Sequence, residues 1–161
     1  MESKSTQIIQ SLDLIPHPEG GFYKETYRSD EKVEIDGKTK SASTAIYYLL
    51  ESGDFSGFHR ISHDELWHFY EGDPVIIHQF YQGKYEVLKV GDGEMSGHKP
   101  QVIVPGGAWF ASELAPGGEY CLAGCTVAPG FDFDDFELAK RDELIAEFPD
   151  HKELITRLTR Q

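Results

Sequence analysis

Positive charge is scarce in this sequence: 15 Lys and Arg stand against 28 Asp and Glu over 161 residues, a formal net charge of −13. A chain this acidic has little with which to neutralise phosphates, which excludes a non-specific nucleic-acid binder but not a locally basic pocket. Cysteine is nearly missing too. Cys121 and Cys125 are the only two, inside the apolar run YCLAGCTVA. In a strand they share one face but lie too far apart along it for an unstrained disulfide, so they read as small buried hydrophobes without a chemical role. No run approaches the length of a membrane span, and the start MESKSTQ lacks the basic-then-apolar layout of a secretory signal. These two absences predict a cytosolic, cytoplasmic protein with no membrane partner. Internal repeats and low-complexity segments are also absent.

The length suits one domain over residues 1–161, large enough to bury a core without metal or disulfide support. Ile8, Ile9 and Leu12 have the spacing of a short amphipathic helix within residues 5–14, which Pro16 ends. The Pro- and Gly-rich stretch PHPEGGFYKETYRS reads as a structured loop leading into an extended segment from Phe22 to Arg28. Ser29 to Ser43 reads as a strand-connecting loop with a hairpin signal at Asp36-Gly37. From Ala42 to Pro129 the chain is a series of short strand candidates: TAIYYLL, FHRI, ELWHFY, PVIIHQFY, YEVLKV, QVIVP, AWFASEL and YCLAGCTVA. Turn residues separate them, which predicts an all-β sandwich or barrel rather than a βαβ layout. TAIYYLL is apolar on both faces, as fits a central strand with one side on the core and the other on a lined cavity or a partner subunit. Helix returns at the end. Asp142 is a candidate cap for a turn of helix to Phe148, and Asp150 with Glu153 forms a capping-box pattern opening Lys152 to Thr159. Leu154, Ile155 and Leu158 would dock that last helix on the barrel.

Chemistry concentrates in FHRISHDELWHFYEG, Phe58 to Gly72. Strand alternation from Glu65 sends Glu65, Trp67 and Phe69 one way and Leu66, His68 and Tyr70 the other. A carboxylate on an aromatic face needs a partner, and His59 on the neighbouring strand is the candidate. Imidazole titrates near neutrality, so a His59–Glu65 pair suits proton abstraction beside a carbonyl. The same pair also suits a plain structural role, keeping a barrel end in register. Tyr47, Tyr48, Tyr70 and Tyr120 are all suitable acids, and the sequence does not choose among them. Trp67, Phe69, Trp109 and Phe110 are candidates for a floor that stacks a ring. Arg28 and Arg60 stand out as candidates for phosphate or carboxylate recognition. A metal version would join His59 and Glu65 to His63, His68 or His78. Alternation places His68 opposite Glu65, and His78 sits in another strand. His17, between two prolines, reads as structural. FDFDDFE, Phe131 to Glu137, reads as a solvated edge strand, with a divalent-cation site the other reading.

These blocks resemble the cupin superfamily. Its first motif has two histidines one residue apart, a Glu three or four residues later, and a Gly after six more. Glu65 and Gly72 keep that last spacing and His59 fits the first histidine. The second histidine falls at Arg60 or Ile61, and His63 comes too late for it. In the second motif the turn survives as Pro105-Gly106-Gly107, while the metal-binding histidine falls near Trp109 or Phe110. PHPEGGFYKETYRS, FHRISHDELWHFYEG, VPGGAWFASEL and CTVAPGFDFDDFEL together resemble one subgroup of small cupins of unknown function. That resemblance implies a jelly-roll homodimer. A shorter resemblance is to the sugar-nucleotide 3,5-epimerases, which use no metal. Gly57-Phe58-His59-Arg60 and Gly20-Gly21-Phe22-Tyr23-Lys24-Glu25 carry it. It implies His59 as the base and Phe22, Glu25 and Arg28 as ligand-holding residues.

The sequence therefore predicts a cupin jelly-roll β-barrel with short terminal helices that binds a small polar ligand and uses no cofactor. The expected catalytic residues are His59 and Glu65, and the expected ligand-binding residues are Phe22, Glu25, Arg28, Tyr48, Arg60, Trp67, Phe69 and Trp109. The leading activity is metal-independent epimerisation or isomerisation of a sugar or nucleotide-sugar. The alternatives are a non-catalytic ligand-binding or sensor cupin, and a metal-dependent isomerase or oxygenase.

Overall fold

The computed structural model describes residues 1–94 and 97–160. Helix α1 (Lys4–Ser11) begins at Ser3, whose hydroxyl accepts from the Thr6 amide. Thirteen strands follow: β1 (Ile15–Pro16), β2 (Phe22–Arg28), β3 (Lys32–Ile35), β4 (Lys38–Ser41), β5 (Thr44–Glu51), β6 (Phe55–Arg60), β7 (Glu65–Gly72), β8 (Val75–Tyr81), β9 (Lys84–Val90), β10 (Gln101–Val104), β11 (Trp109–Leu114), β12 (Tyr120–Val127) and β13 (Glu137–Leu138). Helices α2 (Arg141–Glu147) and α3 (Lys152–Arg157) close the chain. Among the described residues, no helix is long and apolar enough to cross a membrane.

Two antiparallel sheets form the jelly roll. One runs β1-β2-β5-β12-β7-β10 and the other β13-β6-β11-β8-β9, while β3 and β4 make a separate hairpin. Its turn residues Asp36 and Gly37 both have positive φ, 49° and 77°, as the tight primed turn requires. Ser29 to Ser43 is thus a strand pair where the sequence suggested a connecting loop.

Alternation makes the barrel interior. Tyr48 and Leu50 from β5, Trp67 from β7, Phe110 from β11 and Cys121, Ala123 and Cys125 from β12 share one buried cluster with Val75, Ile77 and Val102. Both cysteines are free and buried there. On the opposite face of β5, Leu49 packs under α1 with Ile8, Leu14 and Leu122. That explains a strand apolar on both faces: one side lines the interior and a helix covers part of the other.

The C-terminal helices dock as expected, with Ile155 and Leu158 buried against Phe58, Phe80 and Ala111. Their starts differ. Lys140 occupies the cap of α2, a 3-10 turn (Pro149–His151) leads into α3, and neither helix has a side-chain cap. FDFDDFE is not an edge strand either. It holds a 3-10 turn (Phe133–Asp135) before β13 pairs with β6, because three of its aromatics turn inward toward the barrel mouth.

Candidate functional site

One cavity of about 240 Å³ opens into the barrel. His59, Glu65, Tyr48, Trp67, Glu25 and Arg28 line it, joined by His17, Glu19, Tyr23, Ile61 and Cys125, with Phe131, Asp132, Phe133 and Phe136 at its mouth.

β6 delivers His59, which is 3% exposed. Its Nδ1 lies 2.7 Å from the Gly57 carbonyl and 2.7 Å from Glu19 Oε2. The Nδ1 proton points to the carbonyl, so Glu19 Oε2 meets the ring through charge rather than through a linear hydrogen bond. Phe110, at 4.1 Å, and Phe136, at 5.3 Å between ring centroids, hold the imidazole in place.

Glu19 therefore takes the place that the sequence suggested for Glu65. It arrives on the loop between β1 and β2, where His17 N donates to the Gly21 carbonyl and Gly20 N to the His17 carbonyl. The Tyr48 hydroxyl donates to the Gly20 carbonyl at 2.6 Å. Gly21 has φ of 77°, and a Cβ there would meet the Tyr48 hydroxyl oxygen at 2.5 Å, so only glycine fits.

Two histidines share this carboxylate, and their pKa values move in opposite directions. Burial opposes the charged form of both. For His59 the Glu19 charge wins and the pKa rises, whereas Glu19 itself falls despite its burial because of the His59 charge beside it. For His17 burial wins and the pKa falls. Its Nδ1 accepts the Glu19 amide at 3.2 Å, as a neutral ring must.

Glu65 has no cation against it. Its Oε1 accepts from Trp67 Nε1 at 2.7 Å, and among the described residues no hydrogen bond joins it to His59. Burial and the Glu19 charge lift its pKa from 4.5 to about 7, offset in part by the His59 charge and the Trp67 hydrogen bond. Burial is the largest of these effects.

At the mouth, Arg28 is already engaged. It donates to Glu25 at 2.7 and 3.2 Å, to Asp132 at 3.1 Å and to the Phe131 carbonyl at 2.8 Å. Lys40 of β4 lies between Asp132, Asp134 and Asp135 at 3.0–3.3 Å. These carboxylates raise its pKa and themselves cover its amine.

Four expected ligand-binding residues lie elsewhere. Phe22 packs beneath α1 on the outer sheet face. Arg60 follows the inward His59, so it points outward, stacks over Trp109 at 4.2 Å and pairs with Glu137. Trp109 precedes the inward Phe110 and joins the outer cluster under the C-terminal helices. Phe69 does face inward but packs into the core away from the cavity. Of the four candidate acids only Tyr48 lines the cavity, and its hydroxyl is committed to Gly20.

The donor set does not fit the cupin metal. His59 is the one motif histidine present, because Ile61 lines the cavity near the missing second histidine and Phe110 lies near the missing third. His68 bonds Thr126 on the other face, and His78 bonds Tyr85 and Glu113. Among the described residues, Asp132, Asp134 and Asp135 alone form a three-ligand group, and Lys40 already occupies it.

The chain is 37% identical to protein SO0799 from Shewanella oneidensis, with a TM-score of 0.89 and 99% of each chain covered. It is 34% identical to a hypothetical protein from Leishmania major, with a TM-score of 0.93, covering 99% of this chain and 100% of that one. The uncharacterized protein YML079W of Saccharomyces cerevisiae is 34% identical over 158 residues, 88% of this chain and 79% of that protein. Oxalate decarboxylase from Bacillus subtilis, at 16% identity and a TM-score of 0.56 over 89% of this chain and 36% of that one, shares the fold alone. The family model described as "Cupin superfamily (DUF985)" matches residues 6–139, and the chain belongs to that family.

Proposed function

We propose that the cavity binds a small carbonyl compound of about monosaccharide size and isomerises it without a metal. The observation that carries this reading is the pairing, in one cavity, of His59, whose charged form Glu19 supports against burial, with a carboxyl, Glu65, whose pKa is pushed up to about 7. A general base works best when its pKa lies near the working pH. Glu65 takes the proton from the carbon beside the carbonyl, while the His59 imidazolium supports the negative charge developing on the carbonyl oxygen. Glu65 then returns the proton to the neighbouring carbon, while the former carbonyl oxygen gains a proton and the adjacent hydroxyl gives one up, a transfer between the two oxygens that leaves Glu65 and His59 as they began. These roles differ from the sequence expectation of His59 as base. Epimerisation needs a donor on the opposite face, and Tyr23 is the lining tyrosine whose hydroxyl makes no hydrogen bond among the described residues.

Size and charge argue against a nucleotide-linked ligand. About 240 Å³ is below the roughly 300–1,000 Å³ of drug-sized sites, and the one lining arginine is neutralised by Glu25 and Asp132. The test is solvent-deuterium exchange into a panel of free aldoses and ketoses, followed by NMR. Wild type exchanges the hydrogen beside the carbonyl of its substrate, and Glu65→Gln binds but does not exchange. Binding without exchange by wild type would leave the second reading, a non-catalytic ligand-binding cupin. The deep burial of His59 and its tie to Gly57 favour that alternative.

The homodimer implied by the cupin resemblance has a suitable face. Tyr27, Tyr70 and Ile103, each more than half exposed, lie on the outer side of the six-stranded sheet. Ile103→Glu should then shift the mass measured by light scattering to that of a monomer.

A further inference from the structure

The loop carrying Glu19 is held from an unexpected place. Arg160, just beyond α3 and outside the stretch matched by the family model, reaches across to it. Its Nη1 donates to the Glu19 carbonyl, and its Nη2 donates to Asp54 Oδ1 at 2.9 Å and to the Phe55 carbonyl at 2.8 Å. The guanidinium carbon also sits over the Phe55 ring, 3.8 Å from its centroid. Asp54 links back to the same loop, because its other oxygen accepts the Gly21 amide at 2.8 Å. The Glu19 carbonyl has a second donor, the Gly57 amide at 2.8 Å, and the Gly57 carbonyl is the group that holds His59 Nδ1.

We propose that Arg160 is a positioning residue for the cavity, fixing the Glu19 main chain so that its carboxylate stays against His59. This inference rests on the reading that the His59–Glu19 pair is the working part of the site. The geometry is specific to arginine. Three acceptors on two chain segments surround one planar fork, and a lysine ammonium, a point donor on a flexible stem, does not reproduce that arrangement. The ion pair with Asp54 is too exposed to matter much for stability, with side chains 42% and 36% accessible. The backbone contacts are what place the loop. Sequence spacing gives no hint of this, since Arg160 is 141 residues from Glu19.

The readout is the titration midpoint of the His59 ring, followed by NMR in the full chain. The titratable groups facing that ring are Glu19, Glu65 and His17. In Arg160→Ala the loosened Glu19 supports the imidazolium less, and the midpoint falls by roughly half a pH unit or more. Arg160→Lys shows the same fall and serves alone if the alanine variant does not fold. Leu158→Ala is the control. It weakens the packing of the same segment without touching the fork, so its midpoint matches wild type while its thermal midpoint drops. An unchanged His59 midpoint in a folded Arg160 variant overturns the proposal, as does an equal shift in Leu158→Ala. Failure of the isomerase reading would leave wild type without turnover but this titration test intact.

Discussion

Glu65→Gln separates charge from shape at the centre of the cavity. The wild-type carboxyl titrates at about 7 when folded against an ordinary 4.5. At about 1.4 kcal/mol per pH unit, that difference amounts to about 3 kcal/mol. The sign follows from a raised carboxylate pKa. Glu65 is neutral and harmless below pH 4.5, and its contribution to stability is lost as pH rises through 7, when the folded state must bury an unpaired charge. Glutamine keeps the oxygen that accepts Trp67 Nε1 but never ionises. The two proteins should therefore be equally stable near pH 4.5. The variant should gain steadily to an upper bound of about 3 kcal/mol by pH 8, reduced to the extent that cavity water screens the carboxylate. Urea unfolding at intervals from pH 4.5 to 8, fitted with a common m-value, measures this directly. Subtracting the two curves cancels what Glu19 and His59 contribute apart from their coupling to Glu65. Parallel stability curves across that window would refute the reasoning, because they would mean that the carboxyl titrates alike in the folded and unfolded states.

Three further outcomes follow from the same contacts. His59→Ala leaves Glu19 as a buried uncompensated carboxylate, so it should lose about 3 kcal/mol or more at pH 8, and Glu19→Gln in the same chain should restore most of that in a double-mutant cycle. Lys40→Met leaves Asp132, Asp134 and Asp135 facing one another without a cation, so limited proteolysis should cut faster within residues 131–136 while the barrel stays folded. Ile155→Ala, at a fully buried site, should cost about 2–5 kcal/mol in urea unfolding while leaving the His59 titration unchanged.

The barrel was legible because its strands keep a strict alternation of facing side chains. The pairing of Glu65 with Trp67 on one inward face and the outward turn of His68 follow from that period alone. Alternation had equal force at Arg60 and Trp109, immediate neighbours of inward residues, where residue type drew attention away from phase. His17 and Glu19 were not legible, since a loop has no period and nothing local shows which way its side chains point. The Pro-His-Pro-Glu-Gly-Gly run marked a rigid turn, and that rigidity was the available signal for a site residue. FDFDDFE misled for the opposite reason: its spacing imitates a strand, whereas its carboxylates gather on Lys40 and its rings close over the cavity.

The changes at this site form one electrostatic argument. Where the cupin resemblance expects two more metal-binding histidines, Ile61 and Phe110 stand beside His59. An apolar wall raises the cost of any charge nearby, and a carboxylate left there without a cation takes up a proton. Glu65 does so, at about 7. His59 is held against the opposite outcome, loss of its proton, chiefly by Glu19, which the β1–β2 loop brings to within 2.7 Å, with further support from the Gly57 carbonyl and Glu65. Glu19 therefore favours a positive ring and a protonated acid side by side in the cavity, although the chain as a whole is strongly acidic. Glu19→Gln should weaken that polarity. The His59 ring would then titrate lower than in the wild type, since burial would be opposed only by the Gly57 carbonyl and Glu65, and Glu65 would ionise more readily with the Glu19 charge gone. NMR titration of the His59 ring in Glu19→Gln checks the first shift, and a midpoint that stays at the wild-type value would mean that some other group carries the charge.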